Sequence, residues 1–470
     1  MTSGAWVLGL GLALALGAAG ARAQEVLRKQ YDDGSIYEGT FKDGRQDGTG
    51  TYKLPNGFEY TGDWVAGEIA GTGKATYPNG SFYVGKFAKG KPDGMGKMTF
   101  SDGSTYEGTW IDGAMTGQGQ STYASGASYT GGFVAGKHDG QGVMTDPDGT
   151  VYDGAWLDGV KEGQGKMTYA DGTLYQGSFK AGAPDGMGKL SMPDGVVYDG
   201  QWQAGQINGQ GTLTKAKGDT YVGAFENGQR AGKGKLTYAN GDIYEGFFAA
   251  DERNGAGTFI AKDGTRYAGV WVAGHMEGAG QMTYADGSVY AGTFLADEPH
   301  GRGKMTYADG STYEGAWVAG QMAGLGKAVY GKDQTYQGQF AAGKPEGMGR
   351  MVQADGFVYE GQWQAGLRQG QGRATYADGS VYTGQFAAGL RDGKGTLTTT
   401  TGFGYVGDWK AGVIDGQGIA TYPGGEVYEG AFVAGEREGQ GKLTYSADQI
   451  SEGIWQKGRL LTPNPTANGD

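Results

Sequence analysis

Three histidines and two files of carboxylates are the side chains of this 470-residue chain with the strongest claim to chemistry. A metal centre or a general base would draw the histidines together. His138, His275 and His300 fall instead at three different phases of a repeat set out below. They cannot stack in one column, and each reads as a surface residue of a connecting loop. No cysteine is present, which excludes disulfides, thiolate zinc sites and lipid attachment through sulfur. The pair Gly-x-Gly recurs down the chain, as in Gly48/Gly50, Gly94/Gly96 and Gly439/Gly441. A dinucleotide fingerprint needs a preceding strand, a third spaced glycine and a helix N-terminus, and a P-loop needs Gly-Lys-Ser or Gly-Lys-Thr. The chain carries Gly-Lys-Met, Gly-Lys-Leu and Gly-Lys-Ala in those places. No catalytic residue, cofactor or metal is implied.

The carboxylates repeat at fixed phase. Asp47, Asp93, Asp139, Glu162, Asp185, Glu277, Glu346, Asp392, Asp415 and Glu438 each stand just before the first glycine of a pair. Asp102, Asp148, Asp171, Asp194, Asp263, Asp286, Asp309, Asp355 and Asp378 form a second file, usually before a glycine. Asp-Gly is preferred turn chemistry, and that is the reading adopted. The alternative is a pair of acidic edges that collect divalent cations weakly. A basic file, including Lys97, Lys166, Lys304, Lys327 and Arg350, is expected to pair across strands with acids such as Glu107, Glu314 and Glu360. It is the one candidate for contact with anionic lipid or polysaccharide.

Positioning these files requires a repeat, and the tyrosine of a Tyr-x-Gly triplet marks it. The marker falls at Tyr37, Tyr60, Tyr83 and onward to Tyr428, eighteen times at intervals of 23 residues without insertion or deletion. A nineteenth unit at Ser451-Glu452-Gly453 has lost the tyrosine. Four residues after every marker position stands Phe or Trp, from Phe41 to Trp455. In residues 303–317, GKMTYADGSTYEGAW, alternation places Met305, Tyr307, Tyr313 and Trp317 on one face, with Lys304, Thr306, Glu314 and Ala316 on the other. Each unit therefore reads as a β-hairpin. Ala-Asp-Gly and Pro-Asn-Gly supply the tight turns, and the stretch 318–326 reads as the longer connection. Gly315 leaves a gap into which rings can lean.

The fold class that follows is all-β: an elongated single-layer antiparallel β-meander of tandem hairpins, solenoid-like and on the order of 170 Å long. Phe and Trp alternate in their slot except where Phe248 follows Phe225, and Asp251 replaces the usual turn glycine nearby. An irregularity in curvature or twist is expected between about residues 225 and 255. Residues 1–23 read as a signal peptide, with apolar residues 5–19 and cleavage between Ala23 and Gln24. Residues 24–30 are a lead-in, 31–460 the array of about nineteen units, and 461–470 a disordered tail. Localisation would be periplasmic or secreted. The net charge of −12, with both signs interspersed, speaks against nucleic-acid binding.

The pattern Tyr-x-Gly-x-(Phe/Trp)-x-x-Gly-x-x-x-Gly-x-Gly, as in Tyr313-Glu314-Gly315-Ala316-Trp317 through Gly324 and Gly326, resembles the MORN (membrane occupation and recognition nexus) repeat. The resemblance implies an elongated meander serving as scaffold, tether or peptide-binding groove. Phosphoinositide binding has been attributed to some members, and plant lipid kinases carry such repeats beside a kinase domain, for which residues 31–460 leave no stretch here. The leading expectation is a non-enzymatic scaffold that binds a protein partner in the periplasm or cell envelope. The partner would lie on an aromatic face of Tyr83, Trp110, Tyr152, Trp156, Tyr198, Trp202, Tyr267, Trp271, Tyr313, Trp317, Tyr359 and Trp363. The alternative is a module for carbohydrate or anionic lipid headgroups on a glycan or membrane surface, and self-association along the array is a further reading.

Overall fold

The computed structural model describes residues 25–447 and 449–464. The expected signal peptide, its Ala23–Gln24 junction and the end of the tail lie outside the described residues. Within them the chain forms thirty-nine β-strands and no helix. It divides into two compact units, residues 1–206 and 207–470. In the first, strands run from β1 (Leu27–Gln30) to β16 (Val197–Gln203), and the second holds all of β17 (Gln206–Thr214) but its first residue and the strands on to β39 (Arg459–Pro463). Within each unit every strand pairs antiparallel with the next in sequence, as β1 does with β2 (Ile36–Lys42) and β2 with β3 (Arg45–Lys53). Residues 461–463, expected in the tail, instead belong to β39, which satisfies the outer backbone of β38 (Gln449–Gln456).

Most hairpins join a seven-residue strand bearing the marker tyrosine to a nine-residue strand bearing the glycine pair, as β2 and β3 do. The expected turns are interchanged. The tight connection is the two-residue turn after the Phe/Trp strand, such as Ala319-Gly320, with φ of 48° and 73°. Positive φ at both positions defines a type I′ turn, whose twist matches that of the flanking strands. Most units place alanine at its first position. The Ala-Asp-Gly stretch forms the longer loop, closed by Tyr307 N–H donating to Ser311 O at 2.8 Å and Gly310 N–H to Tyr307 O at 2.9 Å.

The two glycines of Gly-x-Gly have different reasons. The register of β2 on β3 jumps from Gly39↔Gly50 to Phe41↔Gln46, so Asp47-Gly48-Thr49 bulge opposite Thr40 alone. Gly48 takes a φ of 98° there. Gly50 has no side chain for a different cause. A Cβ on it would come within 2.4 Å of the Tyr37 hydroxyl, and one on Gly39 within 2.5 Å. The marker tyrosine therefore lies flat over glycines of two adjacent strands. Gly315 does the same under Tyr313, as its spacing predicts.

Laid down, the tyrosines make a one-dimensional core. Tyr60 is held edge-on between Trp64 of its own hairpin at 5.6 Å and Phe87 of the next at 5.0 Å. This edge-to-face contact recurs along both units, each pair contributing about 0.5–1.5 kcal/mol beyond burial. Tyrosine hydroxyls donate to the backbone three residues on, as Tyr313 does to Ala316 O at 2.9 Å. Tryptophan Nε1 reaches back to the preceding unit, as Trp317 does to Gly303 O at 3.1 Å.

The Phe225–Phe248 slip leaves no mark on the register. Its hairpins pair as their neighbours do, and the Tyr221–Phe248 contact of 5.0 Å equals that of Tyr267–Phe294. The compact units divide at 206/207 rather than between 225 and 255. Asp251 does adopt positive φ, at 69°, but Asp297 does so too, at 72°, away from the slip.

Candidate functional site

The structure buries the aromatic residues expected to meet a partner. Of the twelve, Trp202 is half-buried, and Tyr83, Trp110, Tyr152, Trp156, Tyr198, Tyr267, Trp271, Tyr313, Trp317, Tyr359 and Trp363 are buried. Their covering comes from the rings of the next hairpin and from the residue nine places after each marker, which lies over the rings. The Arg253 guanidinium sits 4.0 Å from the centre of Trp271 and Arg391 the same distance from Trp409. Each also donates to a turn carbonyl of the following hairpin, Gly274 O and Gly412 O, at 2.7 Å. Burial pushes the phenols up to about 12 at Tyr83, Tyr152, Tyr267, Tyr313 and Tyr359. These rings are the buried spine of the sheet.

The histidines lie in strands and not in loops. His138, in β11 (Lys137–Thr145), stacks on Tyr129 at 3.7 Å and bonds the Tyr123 hydroxyl at 2.6 Å. Burial lowers its pKa. His275, in β23 (His275–Thr283), pairs with Asp297 at 2.6 Å, and His300 lies in β25 (Glu298–Thr306). Among the described residues no group of three or more His, Cys, Asp or Glu is arranged to hold a metal ion.

The acidic files are backbone clips. All ten acids of the first file accept a hydrogen bond from the first residue of the next unit's tight turn, nineteen positions on; Asp47 takes Ala66 N–H at 3.1 Å and Glu346 takes Ala365 N–H at 2.8 Å. The bulge aims these side chains there. The second file holds its own loop, as Asp309 does through Ser311 N–H at 2.8 Å and Ser311 Oγ at 2.6 Å. These hydrogen bonds lower the Asp309 pKa.

What remains accessible is the opposite face of the sheet. In the second unit an open groove runs over the glycine pairs, floored by Gly303, Gly315, Gly326 and Gly338. Leu325 lines it at 72% exposure, and Met348, 59% exposed, stands at the same phase one unit on. Arg302, Lys304 and Lys327 are exposed on its walls, and no ion pair to them forms among the described residues, although Glu314 stands in register between the two lysines. The expected cross-strand pairing occurs for Lys97–Glu107 at 3.2 Å and Arg350–Glu360 at 2.7 Å. A second groove continues over Gly384, Gly395, Gly407 and Gly418, with exposed Val406 and Ile419. The sequence carried a signal for this face: apolar Leu325, Met348, Val406 and Ile419 stand at the parity that is mostly polar or charged in other units.

Eighteen consecutive segments, from 37–58 to 428–447, match the model of the MORN repeat. No curated protein matches. Among solved structures, the chain is similar to the TCP domain of Drosophila melanogaster SAS-4 in complex with a proline-rich motif of Ana2, at 18% identity over 34% of this chain and 89% of that one, TM-score 0.23. It is also similar to the G-box domain of the microcephaly protein CPAP, at 14% identity over 48% and 100%, TM-score 0.22. The Danio rerio CPAP TCP10 domain with a STIL peptide gives 14% over 62% and 93%, TM-score 0.16.

Proposed function

The chain belongs to the MORN-repeat family, and from that premise we propose that it is a non-enzymatic repeat scaffold whose second unit holds a protein segment on the open, glycine-floored face. The observation that carries this reading is Leu325, 72% exposed beside the groove of residues 291–350. Exposed apolar side chains gathered along a groove mark an interaction site, because monomeric proteins rarely leave such stretches bare. The opposite face offers less, since its rings are spent on the core. Peptides selected from a display library against the full chain test this. The reading expects their binding to weaken at least tenfold in Leu325→Asp/Met348→Asp; selected peptides indifferent to both substitutions would overturn it.

A glycan reading draws on Tyr284, Tyr307 and Tyr330, incompletely buried and one unit apart, with a cavity lined by Tyr307, Asp309 and Tyr330. Ring stacking on a sugar would use these, and a glycan array scored against Tyr307→Ala decides it. The apolar stretch at residues 5–19, followed by Ala21-Arg22-Ala23, supports export to a periplasmic or secreted location. Amino-terminal sequencing of the protein recovered from the envelope should begin at Gln24, and retention of Met1 in cytoplasm would refute export.

A further inference from the structure

We infer that the segment held on the open face of the second unit is bipartite, acidic at one end and apolar at the other, and that it lies across the strands in one direction. This rests on the scaffold reading and adds the partner's chemistry and polarity. The strand register carries the argument. One file of directly opposed residues runs without interruption from Lys304 to Ile419. Ten strand-to-strand steps at about 4.8 Å make it roughly 48 Å long. Its first part holds Lys304 and Lys327, with Arg302 alongside, three exposed cations facing the single carboxylate of Glu314. Arg350 is answered by Glu360, and exposed Arg373, opposite the same Glu360, ends the positive part. The far part holds Thr396, Val406 and Ile419, and its nearby cation Lys394 is already bonded to Asp408 at 2.5 Å. One groove is therefore left positive, and the next is apolar with the exposed carboxylate of Glu429 at its end, where it disfavours an acidic segment, on a chain whose net charge is −12.

A segment that satisfies both ends places carboxylates over Arg302, Lys304 and Lys327 and aliphatic side chains over Val406 and Ile419. A polyanionic sugar would answer the first groove and leave Val406, Ile419 and Leu325 in water. A uniformly apolar segment would leave three cations without partners. Opposed charge fixes direction and apolar contact supplies burial, the division usual in protein recognition.

The test uses the full chain and three probes: a 20-residue peptide with Asp, Glu and Leu in one half and Val, Leu and Ser in the other, a peptide of the neutral half's composition throughout, and heparin. Binding is read by fluorescence anisotropy at low and at physiological salt, on the native chain, on Arg302→Gln/Lys304→Gln/Lys327→Gln, and on Val406→Asp/Ile419→Asp. All five positions are exposed, and far-ultraviolet circular dichroism checks that the variants fold. The bipartite peptide should bind at least tenfold tighter than the neutral one. That advantage and its salt dependence should vanish in the triple glutamine variant, and Val406→Asp/Ile419→Asp should weaken both peptides. Equal binding of the two peptides, or indifference to the triple substitution, overturns the inference. If the neutral peptide still responds to Val406→Asp/Ile419→Asp, the scaffold reading survives that failure; if no peptide responds to any open-face change, both fall. Heparin binding as tight as the bipartite peptide, and lost in the same triple variant, would mark a plain polyanion surface and also overturn it.

Discussion

Gly315→Ala puts one methyl group under Tyr313. The added Cβ would sit 2.5 Å from the Tyr313 hydroxyl, 2.6 Å from Gly326 Cα and 2.8 Å from Leu325 O. Two of these three neighbours are backbone of the adjacent strand, which cannot swing aside, so the ring must leave its slot between Trp317 and Phe340. Overpacking of this kind costs about 3 kcal/mol. Gly320→Ala is the control. It has a φ of 73° and nothing within 4 Å of its Cβ, so the change costs only the left-handed backbone, about 1 kcal/mol. Because repeats lean mainly on their neighbours, the damage should stay local. Hydrogen exchange followed by mass spectrometry should show residues 313–340 exchanging roughly a hundredfold faster in Gly315→Ala, since about 1.4 kcal/mol is tenfold, and no more than about tenfold faster in Gly320→Ala. Equal effects of the two substitutions would refute the tyrosine-over-glycine core.

Further expectations concern titration and the clips. The buried phenols held up near 12 should ionise there and not in the ordinary range. A folded pKa raised above its unfolded value gives stability that is whole below about 10 and lost as pH rises; phenolate absorbance should therefore climb together with loss of β-structure, and phenols ionising near 10 in a folded chain would refute the burial. Glu346→Ala should speed exchange at Ala365 by several-fold, a cost near 1 kcal/mol, while Gly366 N–H, bonded to Pro345 O at 2.9 Å, stays protected; an unchanged Ala365 removes the clip. At His275 the Asp297 hydrogen bond, then its charge, raises the pKa. Asp297 lies below its usual range: partial burial opposes the shift, and the bonds from His275 and Met276 N–H with nearby positive charge outweigh it. The His275 contribution is whole below about 6.5 and fades as pH rises through the folded value, and that of Asp297 is whole above about 3.9 and fades as pH falls. The clasp is strongest between them. An NMR titration of His275 should show a midpoint above 6.5 that Asp297→Asn returns to normal; an ordinary midpoint in the native chain contradicts the pairing.

Period and alternation were enough to place Tyr313, Gly315 and Trp317 on one side of a hairpin, because spacing of two and an invariant 23-residue interval leave no other register. The turns were less legible. Ala319 at a φ of 48° runs against the preference of alanine, so Asp309-Gly310 drew the tight-turn reading that belongs to Ala319-Gly320. The cover over the aromatic row was hidden for a second reason. Gln46, Ile69, Pro92, His138 and Arg253 share a position but no chemical type, and the bulge at Asp47-Gly48-Thr49 separates them from the glycine that sets the parity. Without that cover the rings look exposed. With it, the accessible surface moves to the face of Leu325 and Lys304.

Carbene footprinting of the full chain with and without a library-selected peptide tests that assignment most directly. The account predicts reduced labelling at Leu325, Met348, Val406 and Ile419 with unchanged labelling at Tyr284, Tyr307 and Tyr330. Protection of the three tyrosines with Leu325 and Met348 still labelled would contradict it.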